Sequence, residues 1–386
     1  MFLKKMRFFF APFLSFCLIV TLYVTAAVAQ PLQSTKAEEA IVIDHETGTV
    51  LLEKNADKRM PTSSMSKTMT IYLVFQALKE GRLKLDDKMA VSEKAWRKGG
   101  SKMFVKVGDR VKVEDLIRGV VIQSGNDATI VLAEGISGNE DVFAESLTQQ
   151  AQAMGMSNSH FVNASGWPDP DHYSTARDLA VLARHLLTDF PEYYHYFSEK
   201  SFKYNDIEQP NRNPLLFRNI GADGIKTGHT EDAGFGLMGS AVRNGRRLVV
   251  VVNGLKSEVE RADESARLLE WAFRSFENRT LIKAGETVDE AAVWLGAKET
   301  VPLVTEKDVY VTIPVLQTER DKLNVTLSYE APLAAPIAKG TAVGTLKVEV
   351  AGLETHEFKL VTGEDVAELG LFARTLAKAK QLLLNR

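Results

Sequence analysis

In the first 280 residues, apolar runs of strand length flank a middle in which apolar positions recur at helical spacing. Ile41-Val42-Ile43-Asp44, then Glu46-Thr47-Gly48, then Val50-Leu51-Leu52 read as two strands around a turn, a β-hairpin. A helix follows. Pro61-Thr62-Ser63 supply its start signals, Met69, Ile71, Tyr72, Val74, Phe75 and Leu78 its apolar body, and Gly81 its stop. Val113–Val121 and Ala128–Glu134 keep helical periodicity, with the polar Gln123-Ser124-Gly125-Asn126-Asp127 between them. Buried polar groups need partners, so this break is either an interhelical turn or a loop that opens into a cleft and binds something. Met154–Arg177 is rich in loop residues and Asp178–Leu187 is again helical. Gly234–Val242 and Leu248–Val252 read as strands joined at Asn244-Gly245, a strong hairpin signal, and Ser265–Phe276 as a closing helix. Strands on both sides of a helical middle predict an α+β fold with an antiparallel sheet.

Beyond about Asn278 the pattern changes to short alternating strands at Val309–Ile313, Leu323–Tyr329 and Gly344–Val350, which predict a small all-β module, a sandwich. The last stretch, Glu364–Arg386, is expected to be an amphipathic helix. Leu369, Phe372, Leu376, Leu383 and Leu384 fall on one side and Arg374 and Lys378 opposite; Lys380 falls on the apolar side, from which a lysine can snorkel. Such a helix at a chain end suits the surface of an anionic membrane, or else docks on its own domain. Its charges interrupt it too often for it to span a bilayer.

The beginning of the chain carries Lys4, Lys5 and Arg7, then the uncharged apolar run Phe8–Val24, then Ala27-Val28-Ala29. This is the order of a cleaved export signal, with cleavage expected after Ala29 and an uncleaved anchor as the alternative. Removing those three basic residues takes the net charge from −3 to −6, which argues against a nucleic-acid partner. The single cysteine, Cys17, lies in the leader. The expected mature chain therefore has no disulfide, thiol nucleophile or cysteine-bound metal. Leu14-Ser15-Phe16 before it lack the small residues of a lipoprotein signal. His160, His172, His185 and His195 show no ligand spacing and read as structural, so neither a metal nor another cofactor is expected.

Three motifs carry the chemistry: Ser64-x-x-Lys67 at a helix start, Ser124-Gly125-Asn126 between helices, and Lys226-Thr227-Gly228 on a strand. Residues three apart share one helix face, so the Ser64 hydroxyl and the Lys67 amine can meet. A serine hydroxyl needs a neighbouring base to become a nucleophile; with no histidine adjacent, Lys67 is the candidate. A lysine with an ordinary pKa is no base at neutral pH, so burial and a second nearby cation must lower it.

Taken together, the set resembles that of penicillin-binding proteins and class A β-lactamases. From about Ala40 to its end the chain is similar to the low-molecular-mass penicillin-binding proteins that are serine-type D-alanyl-D-alanine carboxypeptidases. The resemblance extends through Leu116-Ile117-Arg118-Gly119, Tyr173-Ser174-Thr175-Ala176-Arg177-Asp178 and Asp223-Gly224-Ile225-Lys226-Thr227-Gly228-His229-Thr230. It implies a β-lactamase/transpeptidase-like catalytic domain over 30–277 after a signal peptide at 1–29. A β-rich domain follows at 278–362, and a tail helix at 363–386 would hold the enzyme to the periplasmic face of the inner membrane. It implies that Ser64 attacks the carbonyl between the two terminal D-alanines of a peptidoglycan stem pentapeptide, and that β-lactams acylate the same serine. It places Lys226 across the cleft, as the second cation and as the partner of the substrate carboxylate. Ser124 would relay a proton to the leaving D-alanine and Asn126 would hold the substrate amide. Backbone N–H groups of Ser64 and His229 would form the oxyanion hole. Thr227 and Gly228 would line the same strand, with Arg261 and Arg212 near the carboxylate; either arginine reads equally as a salt-bridged surface residue.

Three other readings stand beside this one. A class A β-lactamase needs a further glutamate to activate the deacylating water, and no glutamate occurs between Glu145 and Glu192. A D,D-endopeptidase, or a transpeptidase in which an amine intercepts the acyl-enzyme, shares the same chemistry. A non-catalytic wall-binding scaffold could keep the fold, although every motif side chain is intact.

Overall fold

The hairpin of β1 (Glu39–Asp44) and β2 (Val50–Lys54) forms one side of a five-stranded sheet. The remaining strands are β3 (Ala222–Thr230), β4 (Gly234–Arg243) and β5 (Arg246–Leu255). The order is β2-β1-β5-β4-β3, and every pairing is antiparallel. Asn244 and Gly245 take φ of 50° and 79°, the pair of positive φ values that a two-residue hairpin turn requires. Val249 stands opposite Ile43 and Val251 opposite Ile41, so the two outermost parts of the chain pair at the sheet's centre. β3 lies at the sheet's end, with one edge unpaired by any strand.

These are coordinates of a computed structural model, which describes residues 4–5, 34–316 and 323–375. Apart from Lys4–Lys5, the leader expected at 1–29 lies outside the described residues. The chain divides into two compact units, Leu32–Ser275 and a second that contains Phe276–Arg386.

In the first unit, helix α1 (Lys67–Lys79) is buried on nearly all sides. It shares one core with α2 (Val113–Val121), α3 (Asn126–Ser137), α4 (Glu140–Ala153) and α5 (Ala176–Asp189). Ile41, Ile43, Val249 and Val251 join that core from the sheet. A helix buried all round must satisfy its polar side chains internally. Thr70 does so by donating to the Ala164 carbonyl at 2.7 Å. Helix α6 runs Glu258–Ser275, seven residues longer at its start than the expected Ser265–Phe276. Its start signal is Ser257-Glu258-Val259-Glu260, a capping sequence: Ser257 Oγ accepts from Glu260 N, and the Glu260 carboxylate accepts from Lys256 N. Phe276 opens the first strand of the next unit rather than ending the helix.

The second unit is built mainly from strands. Phe276–Ile282 pairs with Val309–Pro314 in one sheet, and Asn324–Tyr329, Ala342–Glu349, His356–Thr362, Thr300–Thr305 and Thr287–Trp294 follow one another in another. Val309, Val311 and Ile313 of the first share a core with Val325, Leu327, Leu346, Val348 and Leu360 of the second. The tail departs from expectation. Residues 364–370 are not helical; helix begins only at Leu371 and is described as far as Thr375. Val366 exchanges backbone hydrogen bonds with Ile337 at 2.8 Å, and Leu369 N donates to the Leu295 carbonyl. Isolated backbone bridges thus outcompete the helical periodicity of this stretch, and Val366 becomes a core residue at 1% exposure. Leu376, Lys378, Lys380, Leu383 and Leu384 lie outside the described residues.

Truncating Val366 to alanine removes buried methyl groups, so Val366→Ala should destabilise the β-rich unit by about 2 kcal/mol in chemical denaturation. An unchanged midpoint would restore the fully helical tail.

Candidate active site

Ser63–Ser66 is one turn of 3-10 helix, and α1 proper begins at Lys67. The α-helix start expected at Ser64 is thus a tighter turn, in which residues i and i+3 eclipse. That brings Lys67 Nζ to 2.8 Å from Ser64 Oγ. The turn is tied from behind. Thr62 Oγ1 and Ser66 Oγ share a hydrogen bond, and Ser66 Oγ also meets His172 Nε2 at 2.7 Å. Val162 N donates to His172 Nδ1 at 3.3 Å, so Nε2 carries the proton and donates to Ser66. Burial pushes the His172 imidazole down to about 4, which keeps it neutral in that role.

Lys67 has no exposed surface. Its amine also donates to the Ser165 carbonyl at 2.6 Å. Asn163 shapes the loop that presents this carbonyl, its side-chain oxygen accepting from Ser165 N and Trp167 N. Gly166 in the same loop has φ +74°, and a Cβ there would stand 1.8 Å from the Ser63 carbonyl oxygen. Only glycine lets the loop press so closely on the Ser64 turn. Burial holds the Lys67 pKa well below the usual lysine range, and the positive charges of Arg212 and Lys98 push it further down against the opposing pull of Asp127.

The interhelical segment places Ser124 at φ 59° with its hydroxyl oxygen buried and without a hydrogen-bond partner. Asn126 opens α3 and donates from Nδ2 to the Gly99 carbonyl at 2.8 Å. The neighbouring Asp127 carboxylate accepts from Met103 N, Phe104 N and Ala128 N, which pins the 103–105 segment to the start of α3.

Lys226, Thr227, Gly228 and His229 lie in succession on β3. Lys226 is 2% exposed and donates to the Thr227 carbonyl at 3.1 Å. Burial lowers its pKa well below the ordinary value, and Lys67, Arg212 and Arg261 add their repulsion. β3 packs directly on the Ser64 turn: Ser63 Oγ meets Thr230 Oγ1 at 3.1 Å, and a Cβ on Gly228 would lie 2.8 Å from the Thr62 carbonyl oxygen. His229 stacks on Phe235 with ring centroids 3.7 Å apart. Arg261 is buried on α6, its Nε without a hydrogen-bond partner and its guanidinium 5.6 Å from the Phe235 ring centre. Arg212 reaches in from an exposed position, where Nη1 donates to Ser101 Oγ. No cluster of three or more metal-ligating side chains occurs among the described residues.

Residues 24–257 match the family described as D-alanyl-D-alanine carboxypeptidase. The chain belongs to this family. Residues 276–368 match the C-terminal domain of penicillin-binding protein 5. The chain is 42% identical over 348 residues to the D-alanyl-D-alanine carboxypeptidase DacC of Escherichia coli strain K12, covering 88% of this chain and 87% of that one. Penicillin-binding protein 5 from Haemophilus influenzae superposes with a TM-score of 0.79 at 38% identity, over 87% of this chain and 98% of the other. Penicillin-binding protein D2 from Listeria monocytogenes, solved in an ampicillin-bound form, superposes at 0.58 with 31% identity over 63% of this chain and all of that one.

Within this carboxypeptidase chain, the motif residues Ser64 and Lys67 are in contact; the cations that lower the Lys67 pKa are Arg212 and Lys98 rather than the expected Lys226, while Lys67, Arg212 and Arg261 act on Lys226. Ser124 and Lys67 share no hydrogen bond. The Ser165 carbonyl, Gly166 and His172 were not legible as site residues. The signal available for them was the loop sequence Asn163-Ala164-Ser165-Gly166, with glycine where the chain needs a positive φ. Because the Arg212 charge favours neutral Lys67, Arg212→Ala should raise the Lys67 pKa and move the acid limb of Ser64 acylation to higher pH. The rate of penicillin acylation against pH measures this; a limb that stays in place or moves down contradicts the coupling.

Proposed function

We propose that this chain is a penicillin-sensitive carboxypeptidase that removes the terminal D-alanine from peptidoglycan stem pentapeptides through an acyl-enzyme on Ser64. The observation that carries this reading is the 2.8 Å approach of Ser64 Oγ to an amine whose pKa burial and the charges of Arg212 and Lys98 lower well below the ordinary lysine range. Neutral Lys67 accepts the Ser64 proton while one of its own N–H groups stays on the Ser165 carbonyl. Ser64 Oγ then bonds to the carbonyl carbon between the two D-alanines. The oxygen takes up negative charge facing the backbone N–H groups of Ser64 and His229, a stabilisation worth a few kcal/mol. Ser124, whose hydroxyl is unpartnered in the free enzyme, passes the proton from Lys67 to the departing D-alanine nitrogen as the C–N bond breaks. Water repeats the sequence and releases the tetrapeptide.

The substrate lies along the free edge of β3, with its amide held by the Asn126 side chain and its terminal carboxylate at Lys226, Thr227, Arg261 and Arg212. Gly228 keeps that strand close to Ser64. Penicillins acylate Ser64 in the same way because they mimic the D-alanyl-D-alanine end. The loop that meets Lys67 offers it a carbonyl; Glu140, which reaches the same loop at Ala164 N, is already paired with Lys94 at 2.9 Å. This favours a peptidase over a lactamase with a glutamate-activated water.

The leader at 1–29 directs export, leaving a catalytic domain at 30–277 and a β-rich domain at 278–362 on the periplasmic side of the inner membrane. No described helix is long and apolar enough to cross a membrane. Peripheral attachment through the segment from Leu371 onward is supported by Leu371 and Phe372, which are 84% and 88% exposed.

Mass spectrometry of the mature protein tests the reading. Penicillin should leave a stable adduct on Ser64, and a peptide ending in D-alanyl-D-alanine should lose one D-alanine; Ser64→Ala should do neither. A short-lived adduct beside an untouched peptide would make the chain a β-lactamase, and no adduct at all a scaffold. Separately, Lys226→Ala should lower kcat/KM on peptides with a free terminal carboxylate by about a hundredfold, the scale of a lost charge-assisted hydrogen bond. The same peptide amidated at its end should be nearly indifferent to the change; an equal loss would assign Lys226 a general electrostatic role instead.

A further inference from the structure

A cavity of about 560 Å³ opens beside the Ser64 turn, with Ser63, Gly166 and Thr230 in its lining. The mechanism above makes no use of it. Its lining includes Arg59, Asp169 and Asp232 together with the Trp167 ring. All three charged groups are exposed. Arg59 lies over the Tyr173 ring at 4.6 Å and pairs with no carboxylate among the described residues. Asp169 spends one oxygen on Asp171 N at 2.8 Å, and Asp232 has no ion pair or hydrogen bond among the described residues. Elsewhere in this unit charges of opposite sign find each other, as Arg177 does with Asp57 and Glu53 and Arg246 with Asp44. Here one cation and two carboxylates face a common space and stay apart. A lining of that kind suits a guest that brings both signs with it.

The position of the cavity says which part of a guest would reach it. If the terminal carboxylate sits at Lys226, the acylated residue passes Ser64 near Gly228 and His229. The preceding residue then lies one step of about 3.4 Å further along the extended chain, at Thr230 and Ser63, which line the cavity. We propose that this cavity is a subsite for the stem-peptide residue preceding the acylated D-alanine, and that it selects a side chain ending in an amino-acid zwitterion. The side chain's carboxylate faces Arg59, its ammonium faces Asp169 and Asp232, and its methylene stem lies against Trp167. A side chain ending in a lone ammonium engages only the acidic half, and an uncharged one neither. The assignment rests on the carboxypeptidase reading of Ser64.

Three pentapeptides ending in D-alanyl-D-alanine and differing only at the third residue test it: meso-diaminopimelate, lysine or norleucine. D-Alanine release by the full chain gives kcat/KM for each. The diaminopimelate peptide should exceed the norleucine peptide by about tenfold, the scale of one hydrogen bond to a charged group, with lysine between them. Arg59→Gln should erase the advantage of diaminopimelate over lysine, and Asp232→Asn should reduce that of lysine over norleucine severalfold. Both residues are exposed, and thermal melting of each variant checks that its fold is kept. Equal turnover of the three peptides by the wild type, or ratios unchanged in both variants, overturns the subsite while penicillin still labels Ser64. Neither labelling nor release from any peptide overturns the carboxypeptidase reading, and the subsite with it.

Discussion

The buried amine of Lys67 is the constraint around which the first unit is arranged. A fully buried ammonium in an apolar core is costly, and the protein offers it no carboxylate in hydrogen-bonding reach: only the Ser64 hydroxyl and the Ser165 carbonyl. Burial therefore favours the neutral amine, which suits the role of base proposed for Lys67. The burial requires α1 to be covered on all sides, and the coverage requires a loop to pass over its first turn. Thr70 holds that loop through the Ala164 carbonyl, Asn163 folds it, and Gly166 lets it touch Ser63. Each of these residues supports the chemistry through Lys67 without taking part in it.

The same first turn must also be approached from the sheet. β3 comes close because Gly228 presents no side chain to the Thr62 carbonyl, and because Thr230 and Ser63 bond across the gap. The turn is thus gripped between a loop and an edge strand, with His172 and Ser66 bracing it from below. Within this grip the turn is 3-10, which eclipses Ser64 with Lys67, where an α-helical turn would leave them offset.

Much of this was legible from residue patterns. The helix Val113–Val121 and the turn at Asn244-Gly245 were read directly, since periodicity and paired turn residues are local signals. The motif residues Ser64 and Lys67 were legible because their spacing alone places them together. Most of what was not legible is tertiary. The tail's helical periodicity over 364–370 lost to backbone partners at Ile337 and Leu295, which no local pattern announces. The early start of α6 at Ser257-x-x-Glu260 was local and was missed. The Ser165 carbonyl could not be read at all, because a backbone group becomes functional only through where the fold puts it. His172 was read as structural; its bond to Ser66 beneath the Ser64 turn gives that structural role its particular place.

The two lysines pose a problem that substrate binding resolves. Both are buried, burial lowers the pKa of each, and the charge of Lys67 adds to the lowering at Lys226. The mechanism proposed above needs a base at Lys67 and a cation at Lys226. On that proposal, a substrate carboxylate arriving beside Lys226, Arg212 and Arg261 would favour the proton on Lys226. The more firmly Lys226 holds it, the more strongly it repels a second proton on Lys67. On the same proposal, binding of the correct end group would assign the protonation states that the reaction uses. A peptide without a terminal carboxylate would lack that influence, so selectivity for a free D-alanine end would enter through the activation of the nucleophile as well as through the grip on the substrate.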